Sequence, residues 1–195
     1  MSTESLVIDN IGSLITNDPA LGRGPLGIVE HASVVIDNDV VVEVGPAGAL
    51  ADRRIDAEGA CVLPGFVDSH SHLVFAGDRA EEFTARMAGK PYDGGGIQVT
   101  TDATRATPTP ALDALVRSRL AEAHRAGTTT IEIKSGYGLT VDDEARSVDI
   151  ARAHTPEATF LGAHLLPREF AGRADDYIDL VCNDMLGRVA GTAKW

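Results

Sequence analysis

The stretch Val62-Leu63-Pro64-Gly65-Phe66-Val67-Asp68-Ser69-His70-Ser71-His72 decides how this chain is read. It is an apolar run that ends in two histidines spaced two apart. In an extended strand such residues point to the same face, about 6.6 Å apart along the strand. Two imidazoles so placed can grip one metal ion from one side, and zinc takes imidazole nitrogen readily. A metal held with one position open lowers the pKa of bound water from about 15.7 to about 7. The chain has six histidines, so such a pair can also arise by chance and merely decorate a strand end. It is a hypothesis that its surroundings must support.

Upstream of the pair the chain is β-rich. Leu6-Val7-Ile8 and Ser13-Leu14-Ile15-Thr16 read as two short strands. Val34-Val35-Ile36 and Val40-Val41-Val42-Glu43-Val44 flank Asp37-Asn38-Asp39, and Asn and Asp tolerate the left-handed backbone that a tight hairpin needs. Residues 1–60 therefore read as a small β-sandwich domain. From Cys61 the pattern becomes strand, loop, helix. The segment from Val74 to Pro110 reads as one long loop, rich in Gly and Thr and carrying the Gly94-Gly95-Gly96 run. Leu112, Leu115, Val116, Leu120 and Ala123 form a helical stripe, with Gly127 where a C-terminal glycine belongs. Thr128 to Ile133 is β-branched and reads as strand. Thr140 is placed to cap a helix whose first turn holds Asp142, Asp143 and Glu144. Thr159-Phe160-Leu161-Gly162-Ala163-His164 reads as a third strand, and Tyr177, Ile178, Val181, Met185 and Val189 mark a third helix.

Alternating strands and helices imply parallel pairing with helical crossovers. The expected fold class is α/β. Residues 61–195 would supply the first three βα units of a barrel that needs eight strands and about 250 residues to close. The chain is thus expected to be the N-terminal portion of a longer enzyme.

Bulk properties exclude several classes. A net charge of −12 argues against nucleic acid, whose phosphates would be repelled. No apolar run approaches the roughly 20 residues of a membrane span, and no N-terminal segment has the form of a signal peptide. Cys61 and Cys182 lack metal or redox spacing and read as buried thiols in a reducing cytoplasm.

Active sites of such barrels gather at the C-terminal ends of the strands. His70, His72, Tyr137 and His164 all fall at or just beyond a strand end. Arg79, seven residues past His72, is either a solvated surface residue or a fork for a carboxylate. Tyr137, flanked by Gly136 and Gly138, is either a core tyrosine or a ligand contact. His164 is either a satisfied core imidazole or a ligand contact. Tyr92 is a weaker candidate. The glycine run lacks the lysine and the strand-to-helix setting of a phosphate loop. Glu132 and Lys134 read as a structural pair. His31, His124 and His154 read as surface or structural residues.

The run ending in His70-Ser71-His72 resembles the first barrel strand of the amidohydrolase superfamily. Phe75 to Phe83, Gly94 to Ile97, Glu132 to Leu139 and Phe160 to His164, in that order, resemble the imidazolonepropionase family of histidine degradation. The resemblance implies a hydrolase that opens the lactam ring of 4-imidazolone-5-propanoate, a small-molecule substrate, with a metal-bound hydroxide. N-formimidoyl-L-glutamate would be the product. It implies one divalent metal, zinc or iron, on His70 and His72, with Arg79, Tyr137 and His164 contacting the substrate. It places the remaining metal ligands and the acid/base residues on later strands, so no catalytic residue is expected within this sequence and the chain alone is expected to be inactive. It implies a homodimer for full-length members. Two alternatives remain: another cyclic-amide hydrolase or deaminase of the same superfamily, and a non-catalytic fragment whose exposed strand edges bind a partner.

Overall fold

The computed structural model describes residues 4–89 and 95–195. The chain divides into two compact units, Met1–Pro64 and Gly65–Trp195, slightly beyond the boundary expected from sequence.

The first unit is a single mixed sheet where a sandwich was expected. Its strands are β1 (Leu6–Ile15), β2 (Ile28–Asp37), β3 (Val40–Pro46), β4 (Arg53–Asp56) and β5 (Cys61–Val62), in the order β3-β2-β1-β4, with β5 also on β1. The two short strands expected at its start are one strand. Asn10 adopts φ 55°, and the β1–β2 register shifts between Ile8 and Ile11, so a bulge carries the strand through the polar middle. Asn38 and Asp39 form the β2–β3 turn with φ 50° and 61°, the geometry of a type I′ hairpin. Ile11, Leu14, Ala32 and Val34 form the buried centre of this unit.

The histidine-bearing run is split between the two units. Cys61–Val62 pairs with β1, whereas β6 (Phe66–Ser71) opens a second sheet. Pro64 has no N–H to continue a ladder. A side chain at Gly65 would meet Thr129 Oγ1 at 2.1 Å, so only glycine admits this approach.

The second sheet is parallel, in the order β6-β7-β8, with β7 at Thr128–Lys134 and β8 at Ala158–Thr159. Helix α3 (Thr109–Arg125) connects β6 to β7, and α4 (Val141–His154) connects β7 to β8. Ile131 and Ile133 on β7 pack with Leu112, Val116 and Leu120 of α3 and with Ile150 and Ala151 of α4. Thr130, Glu132 and Lys134 alternate onto the other face, as period 2 requires. Gly127, with φ 90°, follows the C-cap of α3. The Thr140 hydroxyl accepts the Asp143 N–H at 3.1 Å at the start of α4.

The expected long loop contains two helices, α1 (Ala80–Met87) and α2 (Gly95–Ala106). The buried residues of α2 are Thr100, Thr101 and Thr104. Thr104 Oγ1 donates to the Thr100 carbonyl at 2.7 Å, which lets a hydroxyl enter the interior satisfied. The third strand is shorter than expected. Beyond Thr159, Phe160 N–H turns to the Trp195 carbonyl at 2.9 Å and Leu161 N–H to Ser135 Oγ at 3.0 Å. The third helical segment runs through α5 (Ala174–Leu180), a π-turn (Val181–Met185) and α6 (Leu186–Val189), burying Tyr177, Met185 and Val189. Both cysteines, expected to be buried, are exposed. Cys61 lies on a two-residue edge strand, and Cys182 lies off the face that buries Tyr177, Met185 and Val189.

Candidate metal and substrate site

The C-terminal ends of β6, β7 and β8 bring four rings together. His70 lies on β6 and His72 one residue past its end, with ring centroids 5.5 Å apart in an edge arrangement. The β6–β7 register shifts between Asp68 and Ser71, and Asp68 Oδ1 accepts the His70 N–H at 3.0 Å, so the strand is irregular where the pair projects. His164 stacks on His72 with centroids 4.4 Å apart and planes 13° apart. Tyr137 lies 5.4 Å from His72 and 5.3 Å from His164.

Gly136 builds this stack. Its φ is 123°, and a side chain there would meet His164 Nδ1 at 2.8 Å. His164 Nδ1 instead sits 3.1 Å from the Gly136 carbonyl. His164 lies well beyond the end of β8, on irregular chain that no strand carries there.

Electrostatics keep one imidazole neutral. Burial, reinforced by the neighbouring His164 and opposed in part by the Ser135 backbone, pushes the His72 pKa down to about 4. Its Nδ1 is buried and has no hydrogen-bond partner. A buried polar atom left unpaired is costly, and a neutral imidazole nitrogen is also a metal donor. His70 is exposed. Among the described residues, no group of three His, Cys, Asp or Glu side chains could hold an ion. The donors present therefore fit one side of a metal site.

Arg79 and Tyr137 line a common cavity of about 570 Å³ with Phe75, Gly77, Thr100 and Arg119. Arg79 Nε and Nη2 donate to the two carboxylate oxygens of Glu82 at 2.8 and 2.7 Å. Tyr92 lies outside the described residues. Lys134 Nζ and Glu132 Oε1 pair at 2.5 Å, and Thr159 also donates to that oxygen. Burial alone would raise the Glu132 carboxyl, but Lys134, Thr159 and the nearby His70 hold it below its ordinary value. His31 and His124 are exposed, and His154 Nε2 pairs with Asp113 at 2.6 Å.

Two supporting residues escaped the sequence reading. Glu144 is fully buried, and its Oε1 accepts the N–H groups of Gly138 and Leu139 at 2.8 and 2.7 Å. It ties down the chain just after Tyr137. From sequence it is one of three acids in a helix's first turn, where charge alone would keep it in water. Arg119 is the other, and its one sequence signal is a cation within the partly buried stripe of α3.

No family model matches the sequence. The imidazolonepropionase of Salinispora tropica is 63% identical over 193 residues, which is 98% of this chain and 49% of that protein. Those of Salinispora arenicola and Mycolicibacterium smegmatis are 61% and 54% identical over the same share of each. Among solved structures, a triazine hydrolase from Arthobacter aurescens modified for maximum expression in E. coli overlaps 75% of this chain and 33% of its own. The identity is 22% and the TM-score 0.46, an overlap too partial to carry an argument. The chain spans about half the length of the curated relatives it matches. Over 98% of its length the chain is similar in sequence to the imidazolonepropionases, matching about half of a curated member.

Proposed function

We propose that this chain carries one side of the imidazolonepropionase site, with His70 and His72 as donors to one divalent metal and Arg79, Tyr137 and His164 as substrate contacts. The gathering of His70, His72, Tyr137 and His164 rings within 4.4–5.5 Å of a neighbour supports this reading most. In the complete protein the reaction is hydrolysis of 4-imidazolone-5-propanoate at its ring carbonyl, giving N-formimidoyl-L-glutamate. The parallel β6-β7-β8 sheet is then the first arc of a (β/α)₈ barrel and residues 1–60 part of a sandwich. The setting is cytoplasmic, and the full-length protein is a homodimer. No helix among the described residues is long and apolar enough to cross a membrane.

His70 and His72 would hold a zinc or iron ion, which when bound would supply a Lewis acid and lower the pKa of water. The protein's own groups bind and orient. Tyr137 and His164 flank His72 and would hold a flat ring near attack geometry. The Arg79 fork suits the propionate tail. Glu82 occupies the Nε/Nη2 edge of that fork, so two-point binding of the tail there requires Glu82 to yield. With no third donor in reach among the described residues, the chain alone holds metal loosely and lacks the proton-moving groups for turnover.

Zinc titration of the purified chain against H70A and H72A tests the donor assignment. Each substitution should lower zinc affinity at least about tenfold; uptake equal to the unsubstituted chain sinks it. Loss of imidazolonepropionate is then followed with added zinc or iron. Turnover at the rate of an intact family member would refute the claim that this half is inactive.

A further inference from the structure

We propose that Arg119 is a positioning residue for His72, clamping the backbone that follows it; this rests on reading His70 and His72 as the metal donors. His72 lies one residue past the end of β6, so no ladder holds the chain there. Arg119 of α3 supplies the fixed point instead. Its Nη1 donates to the Leu73 carbonyl at 2.6 Å and to the Phe75 carbonyl at 2.7 Å. Its guanidinium carbon lies 3.6 Å from the centre of the Phe75 ring. That ring in turn meets Tyr137 edge-on at 5.9 Å. One side chain thus holds the residue next to His72 and the aromatic neighbour of Tyr137.

An arginine present only for solubility keeps its head in water. Arg119 is partly buried, with no salt bridge to it among the described residues. Burial lowers its pKa, and Glu122 is the acid that acts against this. A half-desolvated cation without a carboxylate partner is costly unless its donors are used. Here they are used on two carbonyls and an aromatic face, and the head also lines the cavity shared with Arg79 and Tyr137. Lysine is no equivalent, because its compact ammonium has no flat face to lie on the Phe75 ring while one nitrogen serves both carbonyls.

The test is nuclear magnetic resonance of the imidazole rings in the metal-free chain, with His72 assigned through H72N. In R119M the His72 ring signals should be displaced or doubled, while those of His31, His124 and His154 stay in place. Unmoved His72 signals in a folded R119M chain overturn the proposal. Should R119M fail to fold, R119K gives the same reading at smaller amplitude, and unmoved His72 signals there overturn it equally. Zinc titration then connects clamp to metal: R119M should weaken uptake about tenfold or more. If the unsubstituted chain takes up zinc no better than H70A or H72A, the donor assignment fails, while the ring signals still judge Arg119.

Discussion

Replacing Glu144 should loosen the Tyr137 loop and change how stability depends on pH. Its side chain is fully buried, and Oε1 accepts two amides, from Gly138 and Leu139, that are themselves in buried residues. Leu139 holds φ 57°, a left-handed geometry that a leucine adopts only when its surroundings enforce it. In E144A both donors lose their acceptor, and an unpaired buried donor costs about 1–3 kcal/mol. Relief from burying the carboxyl returns part of that, leaving a net loss of about 3 kcal/mol. Gln keeps the acceptor oxygen, so E144Q should lose about 1 kcal/mol or less.

The pH effect has a definite sign. Burial raises the Glu144 pKa above its ordinary 4.5. The stability this shift contributes is fully present below the unfolded value and is lost as pH rises through the folded value. Gln does not titrate, so wild-type stability relative to E144Q should fall as pH rises above the ordinary carboxyl value of 4.5. Urea unfolding followed by the single tryptophan, Trp195, reads this in the second unit, where its Nε1 donates to Glu157 at 3.2 Å. Hydrogen exchange of residues 135–140 reads the loop directly. An E144A midpoint equal to wild type, or a wild-type-to-E144Q difference flat with pH, would refute the reasoning.

Two further outcomes are expected. G136A places a methyl 2.8 Å from His164 Nδ1 on a backbone at φ 123°, so it should cost about 1–3 kcal/mol and unstack His164 from His72; unchanged His164 ring signals would argue against the packing described. T140A removes the cap on the Asp143 amide and should cost about 1 kcal/mol, read as a lower urea midpoint with unchanged slope.

Local chemistry was legible where one residue type satisfies one backbone need. Asn38-Asp39 makes the hairpin turn, Gly127 ends α3, and Thr140 caps α4. The stripe of α3 was legible because aliphatic side chains recur at helical spacing. Helix α2 was not, because its buried residues are threonines, and a hydrophobic pattern does not register hydroxyls such as those of Thr100 and Thr104, which bond back to the preceding turn. The expected third strand stops at Thr159 for the opposite reason. Phe160 to His164 is apolar enough for a strand, but the amides of Phe160 and Leu161 find partners at Trp195 and Ser135.

The sequence by itself determined the α/β alternation, the His70–His72 pair and the likeness to imidazolonepropionases, since each rests on residue type, spacing or direct similarity. Only the tertiary structure decided that His164 stacks on His72, that Glu82 occupies the Arg79 fork, and that Glu144 and Arg119 hold the chain on either side of the ring cluster. These contacts join residues whose partners depend on how far a backbone turns after its strand ends. That turn is set by packing and by which buried donors remain unpaired, neither of which a linear spacing records.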